Sequence, residues 1–419
     1  MGRGPYLKVG LLVAVAAAIL GAGYFGPHAG SGGATPSPST QAAGNTAQSE
    51  TPAASASIPA GIAGLTRIDP APDQIDVAWL PGQITSSSMA LLGRRIFYIV
   101  DGDRIQSTDI GGNAREQAIV TVPECLGINQ VLAAGHMLAY VVTAPGGSTA
   151  QVHDCGDAAR VSWTIWLLDL DGGAPTEVAH GIRAVTAIDV AEFPVHLALT
   201  ETALAFDRPP EAGTAGVGET VEVQALDGRS LWTTRTASPV QDVMLGGGTL
   251  AILTDAPSPT GDVFDLWTST AGHPALSSAP RPALSASLSP DGRFLAWDVA
   301  PQDQLPGAET ATGVAIETVA LGADASLDTP TDPVQAAPAR PAAWSVDGRE
   351  FLTWFATAPS GAIYPAVRYV GGGSGAFLPS PQEPIWIQVQ GSTLVWVAES
   401  ADGWTKAAFA VDLDSLGLK

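Results

Sequence analysis

The sequence has little charge and few of the residues that build long helices. Charged side chains make up 14% of the 419 residues, against about 25% in a typical soluble domain. The only three lysines are Lys8, Lys406 and Lys419. Heptad repeats with Glu/Lys pairing are absent, whereas Gly 47 and Pro 33 are abundant, which favours many turns over long helices. An all-α fold is therefore excluded, and the composition favours an all-β fold.

Basic residues are also scarce relative to acidic ones. The chain carries 19 Lys and Arg against 41 Asp and Glu, for a net charge of -22. Such a chain repels phosphate backbones and anionic lipid surfaces. Nucleic acid is excluded as a partner, and the acidity fits either a solvated surface or cation binding.

The N-terminal segment predicts export. Arg3 and Lys8 precede an apolar run from Val9 to Phe25, the pattern of a signal peptide or an uncleaved signal-anchor helix over residues 1–25. Residues 26–61 are rich in Ala, Ser, Thr, Pro and Gly, which predicts a disordered tether. We expect an extracytoplasmic head at residues 62–419, held by a single-pass helix with its N-terminus inside, or secreted if the helix is cleaved.

Beyond the tether, short β-branched and aromatic runs alternate with turn signals, as in all-β repeat folds. Two sets of tight turns recur in alternation. The first set is Gly93-Arg94, Gly135-His136, Gly246 to Gly248, Asp291-Gly292, Asp347-Gly348 and Gly391-Ser392. The second set is Gly111-Gly112, Asp171 to Gly173, Asp227-Gly228, Ala271-Gly272 and Gly371 to Gly373.

Longer, variable segments separate the two sets. They are Ala144 to Arg160, Asp207 to Glu219, Asp255 to Asp262, Ala300 to Thr312 and Ala356 to Gly361. With the strands of one unit named a, b, c and d, the a–b and c–d connections are short and the b–c connections carry the insertions. Insertions in a repeat protein usually mark one face, which is often the binding face.

The spacing predicts a single β-propeller, with seven blades favoured and six or eight left open. The units begin near Ser86, Gly127, Arg183, Pro239, Pro282, Ala339 and Pro384. The last unit is one strand short, and the apolar stretch Ile75 to Leu80 is expected to supply that strand and close the ring.

One hairpin resembles a known family of repeats. Ser289 to Trp297, with the letters SPDGRFLAW, is similar to the S-P-D-G-K/R-x-I/L-A hairpin of TolB-like, WD40-like β-propellers and of the propellers attached to prolyl-oligopeptidase-type enzymes. Trp344 to Trp354 is a degraded copy, and Ile165 to Gly173 resembles the third strand and its turn. The resemblance covers three of the seven units and implies a structural role for the hairpin.

Cys125 and Cys155 are the only cysteines. In an exported domain an even count favours a disulfide, and both residues fall at the same end of unit two. Free buried thiols and metal binding are the alternatives.

Linear catalytic motifs are absent. The six histidines follow no zinc-binding spacing, no G-x-S-x-G occurs, and no sialidase-type box is present. His153-Asp154 fits a general base with an orienting acid, but a solvated loop pair explains it better. No cofactor and no metal is predicted.

Acidic residues collect on the predicted insertion-bearing face. The candidate binding residues are Asp101, Asp103, Asp154, Asp157, Glu211, Asp262, Asp303 and Glu309, with Asp255 beside them. Asp101-Gly102-Asp103 is the densest group and fits a turn better than a calcium loop. The function favoured by the sequence is a non-enzymatic head that binds a protein or an envelope polymer. The alternatives are a small-ligand sensor and a lactonase-type or lyase-type propeller enzyme without a linear motif.

Overall fold

The computed structural model describes residues 62, 64–81, 84, 89–111, 117–145, 160–184, 194–209, 218–255, 264–278, 283–299, 314–321, 331–336, 343–346, 350–369, 375–400 and 405–417. These residues form 29 strands and one short 3-10 helix, Pro72–Gln74. None of the described helices is long and apolar enough to span a membrane. The predicted N-terminal helix, at residues 1–25, and the tether, at residues 26–61, lie outside this part of the chain.

The strands make seven sheets, and we number the sheets along the chain. Sheet 1 contains β3 (Met89–Leu92), β4 (Arg95–Val100), β5 (Arg104–Asp109) and β6 (Gln117–Thr121). Sheet 2 contains β7 (Gly127–Ala134), β8 (Met137–Pro145), β9 (Arg160–Asp169) and β10 (Thr176–Ala184). Sheet 3 contains β11 (Leu197–Leu199), β12 (Ala203–Arg208), β13 (Thr220–Ala225) and β14 (Ser230–Arg235). Sheet 4 contains β15 (Val240–Gly246), β16 (Thr249–Asp255), β17 (Phe264–Thr270) and β18 (His273–Ser278).

The remaining three sheets include the two N-terminal strands. Sheet 5 contains β19 (Ser285–Leu288), β20 (Phe294–Val299), β21 (Val314–Ala320) and β22 (Thr331–Ala336). Sheet 6 contains β23 (Ala343–Val346), β24 (Glu350–Thr357), β25 (Ile363–Tyr369), β26 (Gly375–Phe377) and β1 (Leu65–Arg67). Sheet 7 contains β27 (Glu383–Gln390), β28 (Thr393–Glu399), β29 (Lys406–Asp412) and β2 (Ile75–Leu80).

The sheets follow one another in a closed ring. The first strands of successive sheets contact each other from β3 to β7 and onward to β27, and β27 in turn contacts β3. The described apolar side chains divide accordingly into seven clusters, each packed between two neighbouring sheets. Alternation along each strand explains this layering, because successive side chains point to opposite faces of a sheet and both faces are covered.

The N-terminal strands close the ring. β2 pairs antiparallel with β29 from Ile75↔Val411 to Leu80↔Lys406, as the missing last strand predicted. β1, which the sequence reading did not predict, pairs in parallel with β26. The Arg94 side chain of sheet 1 also binds Asp76 of β2. Residues 65–80 therefore join sheets 6, 7 and 1.

The predicted start of unit three is wrong. Arg183 lies in β10, the last strand of sheet 2, and sheet 3 begins only at Leu197. β10 pairs with β9 as far as Ala184↔Arg160, after a register shift between Glu177 and Ala179. Ile182, Arg183 and Ala184 therefore extend an existing strand, although their pattern fits a first strand equally well.

Candidate functional site

The connections at the two ends of the sheets differ in length. Because the first four strands of every sheet pair antiparallel, the β8–β9 and β20–β21 connections lie at the same end as the links from one sheet to the next, and we call this end the insertion face. The β8–β9 and β20–β21 connections span residues 146–159 and 300–313, whereas the β3–β4, β7–β8 and β15–β16 turns at the opposite end have only two residues each. The long b–c connections of sheets 2 to 5 thus fall where the sequence placed them, whereas the β4–β5 connection has only three residues and the opposite end also carries one long connection, β21–β22, over residues 321–330.

Only two of the eight predicted binding residues can be located. Asp101 and Asp103 lie in the β4–β5 turn, where Asp101 has φ 55 and Gly102 has φ 74. Arg104 forms ion pairs with both carboxylates, and these contacts raise the pKa of Arg104. Asp101, Asp103 and Arg104 therefore form a tight turn in which the two carboxylates are paired with one arginine. Asp154, Asp157, Glu211, Asp262, Asp303 and Glu309 lie outside the described residues, as do His153 and Cys155.

The insertion face contains a group of buried and half-buried charged side chains that the sequence reading missed. We call it the His196 cluster, and its members are Arg183, His196, Asp207, Glu219 and Asp242. They come from the ends of β10 and β12, the residues just before β11 and β13, and the start of β15. Strands of three sheets therefore contribute to one cluster.

Hydrogen bonds fix the acidic members. Asp207 is fully buried and accepts the backbone N–H of His196 at 2.5 Å. The imidazole Nδ1 of His196 lies 3.5 Å from the other carboxylate oxygen of Asp207. Glu219 accepts the backbone N–H of Val240 at 2.9 Å, and the charge of Asp207 acts on its carboxyl group. Asp242 accepts the backbone N–H of Val243 at 2.8 Å.

Burial and mutual charge shift the pKa values of the cluster. Burial first, and then repulsion from Asp207, raise the pKa of Glu219 to about 7. Burial also raises the pKa of Asp242, against the attraction of His196. Burial lowers the pKa of His196, but the charge and hydrogen bond of Asp207 outweigh it, so the pKa is raised. All three groups therefore hold protons more tightly than they would in water.

A second buried acid lies at the same end of sheet 5. Asp298 is 1% exposed and accepts a hydrogen bond from the Ser285 hydroxyl at 2.8 Å. Burial raises the pKa of Asp298 to about 7 despite that bond. Like Asp207, it is the fifth residue of a six-residue second strand. A carboxylate directly after four apolar residues of a second strand was the signal in the sequence for both sites.

The described part of the chain offers few other candidate sites for binding or catalysis. No three His, Cys, Asp or Glu side chains among the described residues are arranged to hold a metal ion. A depression of about 510 Å³ lies at the opposite end of sheet 1, lined by Leu92, Arg94, Arg95, Asp109, Ile110 and Gly111. Both arginines there are paired, Arg94 with Asp76 and Arg95 with Asp109.

No protein family matches the sequence, and no curated protein matches it. Solved structures do resemble the fold. One of these structures comes from a study of two prolyl endopeptidases and has a TM-score of 0.50. It is 14% identical to this chain, and the match covers 82% of this chain and 47% of that chain. The chain thus spans about half the length of that enzyme.

Two further structures are similar over most of the chain. The β-propeller domain of the Trilobed protease from Pyrococcus furiosus has a TM-score of 0.48 and 12% identity, over 78% of this chain and 95% of that chain. TolB from Acinetobacter baumannii has a TM-score of 0.36 and 12% identity, over 81% of this chain and 80% of that chain. The ring of four-stranded sheets makes the chain a β-propeller, the fold that the TolB-like hairpin of the sequence implied.

Proposed function

We propose that this protein is an extracytoplasmic binding module whose insertion face captures a protein or an envelope polymer. The observation that carries the proposal is the contrast between the long b–c connections of sheets 2 to 5 and the two-residue β3–β4, β7–β8, β15–β16 and β27–β28 turns at the opposite end. Variable connections on one side of a rigid repeat scaffold are the usual way in which such scaffolds present a binding surface. The seven sheets act in this proposal as the seven blades of one propeller.

The N-terminal segment presents the head in this proposal. The basic and apolar residues 1–25 direct export and anchor the chain unless they are cleaved, and residues 26–61 act as a tether. The head would then face the partner from the membrane surface. A disulfide between Cys125 and Cys155 would fasten the β8–β9 connection to the β6–β7 turn. Alkylation and mass spectrometry of exported, non-reduced protein should find no free thiol.

Capture from an envelope extract, with residues 26–419 as bait, tests the binding proposal. Charge reversals at Asp154, Asp157, Asp262 and Asp303, which the sequence predicts to be exposed, should weaken capture and leave the melting temperature nearly unchanged, because exposed substitutions usually change stability by about 0.5 kcal/mol or less. Glu201→Lys is the matched control, since Glu201 is exposed in the β11–β12 turn at the opposite end. Loss of capture in the control alone would show that the partner binds at the end of the ring opposite the insertion face.

The His196 cluster favours a second candidate function, a small-ligand sensor or a propeller enzyme. Groups with displaced pKa values that converge from several strands are typical of sites that handle protons. A thermal-shift screen with metal ions and metabolites tests this candidate. A ligand whose stabilising effect disappears in His196→Gln but persists in His180→Gln, an exposed histidine of sheet 2, would support it over a binding-only role.

A further inference from the structure

The outer edges of the seven sheets differ in how they are protected. A strand at the edge of a sheet presents unpaired backbone N–H and C=O groups, and proteins interrupt such edges with bulges, prolines or charges, or cover them. In each of sheets 1 to 5 the outermost pair of strands contains a register shift. In sheet 6 the edge of β26 is covered by β1. The outer edges of sheets 1 to 6 are therefore either irregular or covered.

The outer edge of sheet 7 is the exception. β2 pairs with β29 along its whole length, Ile75–Leu80, without a register shift. It contains no proline, and its one charged side chain, Asp76, is bound by Arg94. Alternate residues of such a strand direct their backbone groups away from the neighbouring strand. A regular edge of this kind can accept a further strand.

Two large apolar side chains are exposed beside this edge. Val77 is 46% exposed and Trp79 is 64% exposed. Their partners in β29 are Phe409 and Ala407, and Phe409 packs against the apolar cluster between sheets 6 and 7. Val77 and Trp79 therefore lie on the face of sheet 7 that turns toward sheet 6. A strand added to β2 would place every second side chain next to them.

The exposed charges near the start of β2 are negative. Asp73 precedes β2, and Asp412 is the last residue of β29. Both are exposed, as is Asp414, and they lie at the same end because Ile75 pairs with Val411. A second copy of this chain would bring the same acids and a net charge of -22, whereas a basic segment complements them.

We propose that the outer edge of β2 binds an extended segment of another protein by strand addition. Apolar side chains at alternate positions of that segment lie beside Val77 and Trp79, and a Lys or Arg at one end reaches Asp73 and Asp412. Backbone hydrogen bonds to β2 supply affinity, and the alternate side chains supply specificity. The site lies on the outer rim of sheet 7 and does not depend on binding at the insertion face.

Selection from a random peptide library displayed on phage, with the full chain as bait, tests this site. We expect the selected peptides to share apolar residues at every second position and a basic residue at one end. Trp79→Ser should weaken binding of a synthetic copy of a selected peptide about tenfold or more, as the loss of a central aromatic anchor usually does. Ile182→Ser is the matched control, because Ile182 is an exposed apolar residue on the outer strand of sheet 2. It should bind the peptide as tightly as the native chain.

Two further measurements separate the charges from the backbone. Asp73→Asn combined with Asp412→Asn should weaken binding about two- to fivefold, the contribution of exposed ion pairs. Asp171→Asn, at an exposed acid in the β9–β10 turn, should have no effect. N-methylation of the peptide at one residue at a time should weaken binding at every second position, because a strand directs alternate N–H groups to its neighbour. The same effect at all positions would overturn strand addition.

A photo-cross-linking amino acid at position 79 of the full chain identifies what occupies the edge. Cross-links to the added peptide support the proposal. Cross-links between two copies of the chain, or to residues 1–61 of the same chain, would assign the edge to a second copy or to the N-terminal segment and overturn it. Failure to select any peptide, or selected peptides that bind Trp79→Ser as tightly as the native chain, would overturn it as well.

Discussion

At the scale of single residues, the Ser289–Trp297 hairpin is a hydrogen-bonded turn. Asp291 Oδ1 accepts the Ser289 hydroxyl at 2.7 Å and the backbone N–H of Arg293 at 3.1 Å. The Ser289 hydroxyl in turn receives the N–H of Phe294 at 2.9 Å. The motif that resembles TolB-like repeats therefore has a structural role in shaping the turn.

Asp291→Ala removes these acceptors and should destabilise the protein by about 0.5 to 2 kcal/mol, by analogy with other bonds from side chain to local backbone. Chemical denaturation at pH 7 measures the change. The hydrogen bonds from Ser289 and Arg293 outweigh partial burial and lower the pKa of Asp291. This contribution is therefore present above the ordinary value of 3.8 and should disappear only as the pH falls below it.

Gly292 is constrained in two ways, and a matched pair of variants separates them. Gly292 has φ +73, and a Cβ there would overlap the carbonyl group of Gly246 in sheet 4. Gly228 has φ +84 with no atom near its Cβ position. Gly228→Ala should cost about 1 kcal/mol for the left-handed backbone alone, whereas Gly292→Ala should cost clearly more. If denaturation shows equal losses of unfolding free energy in the two variants, the contact between sheets 4 and 5 contributes nothing to stability.

At the scale of elements, strand β2 closes the ring by pairing with β29. Ala78 is buried in the cluster between sheets 7 and 1, while Trp79 on the same strand is 64% exposed. Hydrophobic alternation alone does not predict this orientation, because both residues are apolar. The pairing of β2 with β29 decides which side faces the core.

Ala78→Asp should therefore destabilise the protein by about 3 kcal/mol or more, because it buries an unpaired charge where the ring closes. Trp79→Asp is the control on the neighbouring position and should change stability by about 0.5 kcal/mol or less. Thermal melting of both variants measures the difference. A mild effect of Ala78→Asp would indicate that the ring is stable without its N-terminal strand.

At the scale of the whole molecule, the net charge of -22 opposes compaction through self-repulsion. Salt screens such repulsion, since the Debye length is about 10 Å at 0.1 M. We expect the melting temperature at pH 8 to rise when sodium chloride is raised from about 20 to about 300 mM. The same change should be smaller at pH 5, where the raised pKa values of the buried acids have already reduced the negative charge. A melting temperature independent of salt at pH 8 would contradict this account.

The repeat and its closure could be read from the sequence because they depend on local rules. Turn glycines and β-branched runs are visible within short segments, and they predicted seven units. The last of these units lacks a strand, which predicted the pairing of Ile75 to Leu80 with the C-terminal end of the chain. The start of unit three was wrong because Arg183 and its neighbours fit two strands equally well. Only their pairing with β9 shows that they belong to the last strand of sheet 2.

The sequence by itself determined the all-β class, the turn chemistry and the end of the sheets that bears the insertions, since hydrogen-bonding and side-chain periodicity are properties of short segments. Only the tertiary structure decided that β1 joins sheet 6 and that Arg183, His196, Asp207, Glu219 and Asp242 meet. These residues are separated by up to several strands along the chain. Their contact, and the pKa shifts that follow from it, exist because three sheets converge at one end of the ring, where burial strengthens every charge interaction.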